Sequence, residues 1–118
     1  MNEPEVHPVP RPDWSPLPHE GCVRVVGKVL LSLPHLHLAL LRFDAHGTIH
    51  EHAADIEIDV VCLEGEGMTS VGGNPAAIRA GESVRWPAGI PHRLWTAEGE
   101  MVTLMVEHTH AGPGRDRP

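Results

Sequence analysis

Histidine is the residue type through which this sequence could do chemistry: there are ten in 118 residues, with no Tyr and a single Phe. Imidazole is the commonest protein metal ligand and a near-neutral acid or base. Three pairs stand one residue apart: His35/His37, His50/His52 and His108/His110. On a strand, side chains two positions apart leave the same face, so any of these pairs could offer two rings to one ion. Spacing alone does not choose among them. A distant His92 could complete a set with His50 and His52. His92 ends the run "GESVRWPAGIPH", in which Gly81 turns one strand into the next and Pro87 and Gly89 fix a tight turn. His92 is then aimed inward at the start of the following strand.

The segment from Gly47 to His92 resembles the cupin superfamily. The family's second motif is a Gly, five residues, Pro-x-Gly, two residues and a ligand His, and Gly81, Pro87, Gly89 and His92 meet it without a gap. The first motif has two histidines one residue apart, a Glu after three or four more, and a strand ending in Gly. "HEHAADIEIDVVCLEGEG" supplies His50, His52, Glu57 and Gly65. The resemblance implies a divalent transition metal (Fe, Ni, Zn, Mn or Cu) held by His50, His52, His92 and Glu57. The first motif departs from the pattern, because seven residues instead of six separate Glu57 from Gly65. Counting back from Gly65 puts Ile58 at the carboxylate's usual place. Glu57 is then either a ligand or a strand-edge surface charge, Asp55 is a weaker candidate, and Asp59 faces the opposite side of a strand regular from Ile58. The Gly expected six positions before His50 is Asp44, with Gly47 nearby, and the Asn that often closes the second motif is Thr96.

Other candidates have plainer readings. Val60, Cys62, Trp86, Leu94 and Met105 are expected to wall the site, and Trp86 and Trp95 read as core filler more than as a substrate platform. Arg42, Arg85 and Arg93 read as surface residues, although one turned inward would hold an anionic substrate. His35 and His37 alternate with leucines and mark a polar sheet face or a subunit contact, and His108 and His110 read as solvated. Cys22 and Cys62 lie in apolar β-prone runs and read as reduced core residues, not as a disulfide framework.

The elements that must position these groups are strands. "CVRVVGKVLL" (22–31), "HLHLALLRF" (35–43), "IEIDVVCL" (56–63), "AAIRAGESVRW" (76–86, turning at 80–81) and "EMVTLMVEH" (100–108) are β-branched or alternate with period two. No stretch of a dozen residues keeps a helical stripe. "EGEG" (64–67), "VGGNP" (71–75) and "PAGIP" (87–91) punctuate them. The expected fold is all-β, an antiparallel sandwich or small barrel by its strands, and by resemblance the double-stranded β-helix or jelly-roll barrel of cupins. Half of the twelve prolines fall within residues 1–18, so residues 1–19 read as an extended arm, 20–108 as one barrel domain and 109–118 as a frayed tail.

Charge and length bound the function. A net charge of -7, with nine basic residues scattered among sixteen acids, offers no face for a nucleic-acid backbone. No run is long and apolar enough to span a membrane, and the first residues lack the basic and apolar regions of a secretion signal, so a cytoplasmic protein is expected. Two functions fit the residues. One is a metal-dependent enzyme acting on a small organic molecule, a dioxygenase with a three-histidine site by analogy to non-heme iron chemistry, or an isomerase. The other is a non-catalytic binding or sensory module whose metal is structural or positions a ligand. A homodimer is expected, since a long outer edge near Cys22–Leu31 needs covering.

Overall fold

The computed structural model describes residues 2–109, and every regular element among them is a strand. In chain order these are β1 (Arg11–Pro16), β2 (Cys22–Leu33), β3 (Leu36–His52), β4 (Ile58–Val71), β5 (Asn74–Arg79), β6 (Ser83–Trp86), β7 (His92–Trp95) and β8 (Met101–Glu107). All pairings are antiparallel. The long strands β3 and β4 form the frame. Strand β8 bridges them at one end, pairing with residues 37–43 and 58–65, and β7 bridges them at the other, pairing with 48–52 and 68–71. Two short strands spanning two long ones close the sheet on itself, and β1 and β5 are the ends of the strand order. The expected all-β, single-domain barrel is what the chain forms.

Period-two patterning explains which side is filled. Ala39, Leu41 and Phe43 of β3, Ile58, Val60 and Cys62 of β4, and Met101, Thr103 and Met105 of β8 are buried at every second position. Phe43, Val60, Cys62 and Leu94 are fully inaccessible, and each apolar side chain of this size contributes roughly 1.5–3 kcal/mol by leaving water. Buried polar groups are tied in. The Trp86 indole N–H donates to Thr69 Oγ1 at 3.0 Å, and that hydroxyl donates to the Arg93 carbonyl at 2.9 Å.

Three sequence expectations need correction. Residues 64–67 do not end a strand, because β4 runs through them with a register shift between Cys62 and Glu64. Gly65 makes this possible at φ 76, where the main chain passes so close to Glu100 that an added Cβ would lie 2.0 Å from its carbonyl oxygen. The strand expected to end at Phe43 continues to His52. The proline-rich segment is extended but not free of the barrel: Arg11–Pro16 pairs with β2 as an edge strand, where a missing N–H is tolerated. The tail expected over 109–118 lies almost entirely outside the described residues, as does His110.

Candidate functional site

The Pro87–Pro91 turn delivers His92 to the first position of β7, with Gly89 at φ 78 taking the left-handed conformation the turn requires. The ring is fully buried, and neither Nδ1 nor Nε2 has a hydrogen-bond partner. It stacks on Trp86 with centroids 3.9 Å apart and planes 8° from parallel. Burial first, and then the neighbouring His52, push its pKa down to about 4, and the Ile90 backbone opposes this without satisfying either nitrogen. At neutral pH the imidazole is therefore uncharged and able to donate a lone pair.

His52 stands opposite His92 across β3 and β7, their rings edge to face at 4.6 Å. His52 Nδ1 lies 2.9 Å from the His50 carbonyl oxygen. A carbonyl only accepts, so Nδ1 carries the proton and Nε2 keeps its lone pair free. A backbone carbonyl fixing the tautomer is the usual support for a ligating histidine. A register shift lies between Ile49 and His52, so the strand carries one residue more than β7 there, and His50 and His52 both line the same cavity. The His50 ring packs against Gly21, where an added Cβ would meet its Cδ2 at 2.9 Å.

Glu57 lies apart from these rings. Its carboxylate is 3.6 Å from Arg85 Nη1, on the outer face that also holds Asp59, while Ile58 turns inward. The register counted from Gly65 is thus the one the strand adopts. Among the described residues, no group of three or more His, Cys, Asp or Glu side chains is gathered as a metal cluster. The fit is therefore partial: two imidazoles meet, one with a free lone pair and one with two unpartnered buried nitrogens, and no carboxylate joins them.

Beside this pair lies a cavity of about 790 Å³. Trp86 and Met105 wall it, together with Ile58, His50 and His52, whereas Val60, Cys62 and Leu94 are in the core behind it. None of the three anticipated arginines lines it. Arg85 is paired outside with Asp59, Arg93 lies over the Trp95 ring at 4.2 Å, and Arg42 over Trp14 at 4.9 Å. The cations on the wall are Arg11 and Lys28, from strands β1 and β2, and the Lys28 ammonium lies 4.7 Å over the Trp14 ring. His37, read as a sheet-surface residue, also lines the cavity, as do His19 and Glu107. His35 is exposed in the turn before β3, and His108 bonds Asp59 at 2.9 Å. Both cysteines are free: Cys62 is in the core and Cys22 is on the cavity wall, and burial raises both thiol pKa values. Thr96, at the closing position of the second motif, accepts from the Gly47 N–H at 2.9 Å and donates to the Asp44 carbonyl at 2.6 Å, tying both departures from the motifs together.

Comparison with known proteins places these features in a family. The cupin-domain family model matches residues 40–111. Among solved structures, a cupin 2 conserved barrel domain protein from Leptotrichia buccalis is 30% identical with a TM-score of 0.69, over 76% of this chain and 42% of that one. The polyketide cyclase RemF from Streptomyces resistomycificus has a TM-score of 0.78 at 19% identity, covering 95% of this chain and 83% of its own. A cupin-2 domain protein from Rhodospirillum rubrum has a TM-score of 0.76 at 19% identity, covering 100% and 80%. At 19% identity the likeness is one of fold. No curated protein sequence matches the chain.

Proposed function

This chain belongs to the cupin family, and from that premise we propose that it binds a divalent transition metal through His52 and His92 and acts on a small organic molecule in the adjoining cavity. The observation that carries the reading is the His92 ring: buried, held uncharged, unpartnered at both nitrogens and facing a second imidazole whose tautomer leaves Nε2 free. A buried polar group without a partner costs about 1–3 kcal/mol, so a site that keeps one has a use for it. His50 is the further imidazole on the same wall, and Glu57 takes no part. When bound there, the metal supplies Lewis acidity and, as Fe(II), dioxygen chemistry.

The chain's own contributions are separate from that chemistry. Trp86 holds the His92 plane by stacking and is itself held by Thr69. The apolar side chains of Ile58, Trp86 and Met105 exclude water from one side of a ligand, while Arg11 offers positive charge to an anionic group on it. A second copy of the chain completes the molecule in this reading: β1 is the outer strand, and Val23, Leu31 and Leu33 of β2 are exposed apolar residues beside it.

Titration of chelator-treated protein with Fe(II), Ni(II) and Zn(II) tests the metal. The parent should bind one ion per chain, and His52→Gln, at an exposed position that leaves the core intact, should weaken binding at least 10-fold. Unchanged binding in that variant overturns the assignment. Turnover is read as oxygen uptake by the Fe(II)-loaded protein with a small diketone, enediol or thiol-bearing acid. A ligand that raises the melting temperature without oxygen uptake refutes the dioxygenase step and leaves a binding module.

A further inference from the structure

The cavity holds a second set of ionisable groups away from the imidazole pair. His37 on β3 stands directly opposite Glu107 on β8, Glu107 stands opposite Ile58 on β4, and Ile58 stands opposite Trp86 on β6. Residues directly opposite on antiparallel strands share a face, and all four line the cavity. They form one row across four strands, and its Trp86 end carries the ring stacked on His92. With strands about 4.8 Å apart, Glu107 is roughly 10 Å from Trp86, the span of a small organic ligand. His19, on the segment joining β1 to β2, lines the same cavity.

Glu107 has no ion pair or side-chain hydrogen bond among the described residues, although it faces into an apolar pocket. A carboxylate on a half-buried wall normally acquires a partner. Burial raises its pKa, and His37 and then His19 pull it back down. The other ionisable groups on the walls are Arg11 of β1, Cys22 and Lys28 of β2, Glu20, and His50, Glu51 and His52 of β3. The residue is therefore a carboxyl held in apolar surroundings, flanked by imidazoles and open to a ligand, which is the environment of a general acid or base.

We propose that Glu107 is the proton-transferring group of the cavity and acts on a carbon acid, a C–H beside a carbonyl, of a ligand lying along this row. The C–H bond breaks, its electron pair stays on the ligand as the enolate, and the proton goes to the Glu107 carboxylate. The same proton, or one exchanged with water, returns to carbon or to the enolate oxygen, so no oxidant or second substrate is consumed. Arg11 on the wall supplies the charge to hold a carboxylate elsewhere on the ligand. The class is thus an apolar 2-oxo acid. This rests on the reading that the cavity takes a small organic molecule, and it does not require the metal.

Phenylpyruvate is the probe, followed in deuterated buffer by loss of its C3 proton signal, with binding measured separately by calorimetry. Chelator-treated and Zn(II)-loaded protein are compared. The parent should bind the probe and accelerate exchange in both states, and Glu107→Gln should bind comparably and exchange at least 100-fold more slowly. His37→Gln removes a group that lowers the Glu107 pKa, so the midpoint of the pH–rate profile should move up while binding holds. A purely structural role would leave that midpoint in place. Binding with no exchange above buffer, or equal exchange in Glu107→Gln, overturns the proposal alone. Absence of binding in the parent overturns the cavity reading and the proposal with it.

Discussion

Replacing Asp59 by Asn tests how the outer face of the barrel is held and why Glu57 is kept away from the imidazoles. Asp59 stands opposite Arg85 on β6 and Val106 on β8. Arg85 Nε and Nη2 donate to its two carboxylate oxygens at 2.9 and 2.8 Å, and His108 Nε2 lies 2.9 Å from one of them. The Arg85 hydrogen bonds, aided by His108 and opposed by partial burial, bring the carboxyl pKa from an ordinary 3.8 to about 2. At full strength that difference is worth about 2 kcal/mol. Because the Arg85 side chain is 54% exposed, solvent screening reduces the contribution to about 1 kcal/mol. The folded state binds the proton less readily than the unfolded chain, so the stabilisation is complete above the ordinary value and is lost as pH falls towards 2. Urea unfolding at fixed protein concentration should find Asp59→Asn about 1 kcal/mol less stable at pH 7, with the gap shrinking near pH 2 and in molar salt. A variant as stable as the parent at pH 7 would refute the reasoning, and so would a gap that persists undiminished in acid.

Other substitutions separate the remaining roles. Glu57→Gln should change metal affinity less than two-fold, while His92→Gln lowers it at least 10-fold, as judged by metal content after dialysis; equal loss in both would show that the carboxylate reaches the ion. Gly65→Ala forces a side chain into the Glu100 carbonyl at positive φ and should cost more than about 2 kcal/mol in urea unfolding. Trp86→Ala removes a buried ring stacked on His92 and should cost about 3–5 kcal/mol, with a measurable drop in melting temperature. Light scattering at micromolar concentration should give twice the 12.8 kDa chain mass, and a value equal to the chain mass would exclude the dimer.

Much of this architecture is legible in the order of the residues. Period-two burial along β3, β4 and β8 is a local property, because successive side chains must leave opposite faces, so the all-β fold and most strands follow from residue order. The same holds for the His92 turn, where a Pro and a Gly set the backbone within a few residues. The offset between Glu57 and Gly65 pointed to Ile58 at the carboxylate's usual place but left Glu57 open between a ligand and a surface charge. Tertiary structure decided what depends on partners. The register shift against β7 between Ile49 and His52 is of this kind, because spacing within one strand cannot reveal an extra residue relative to another. Residues 64–67 look like a turn by composition, yet they continue a strand because β8 and β5 supply hydrogen bonds along both halves of β4. The inward positions of His37 and Glu107 came from the pairing of strands some seventy residues apart in sequence, and the Pro-rich segment reached the cavity only because β2 offered it an edge. Local order determines which face a side chain takes, whereas the company it keeps on that face is determined by closure of the barrel.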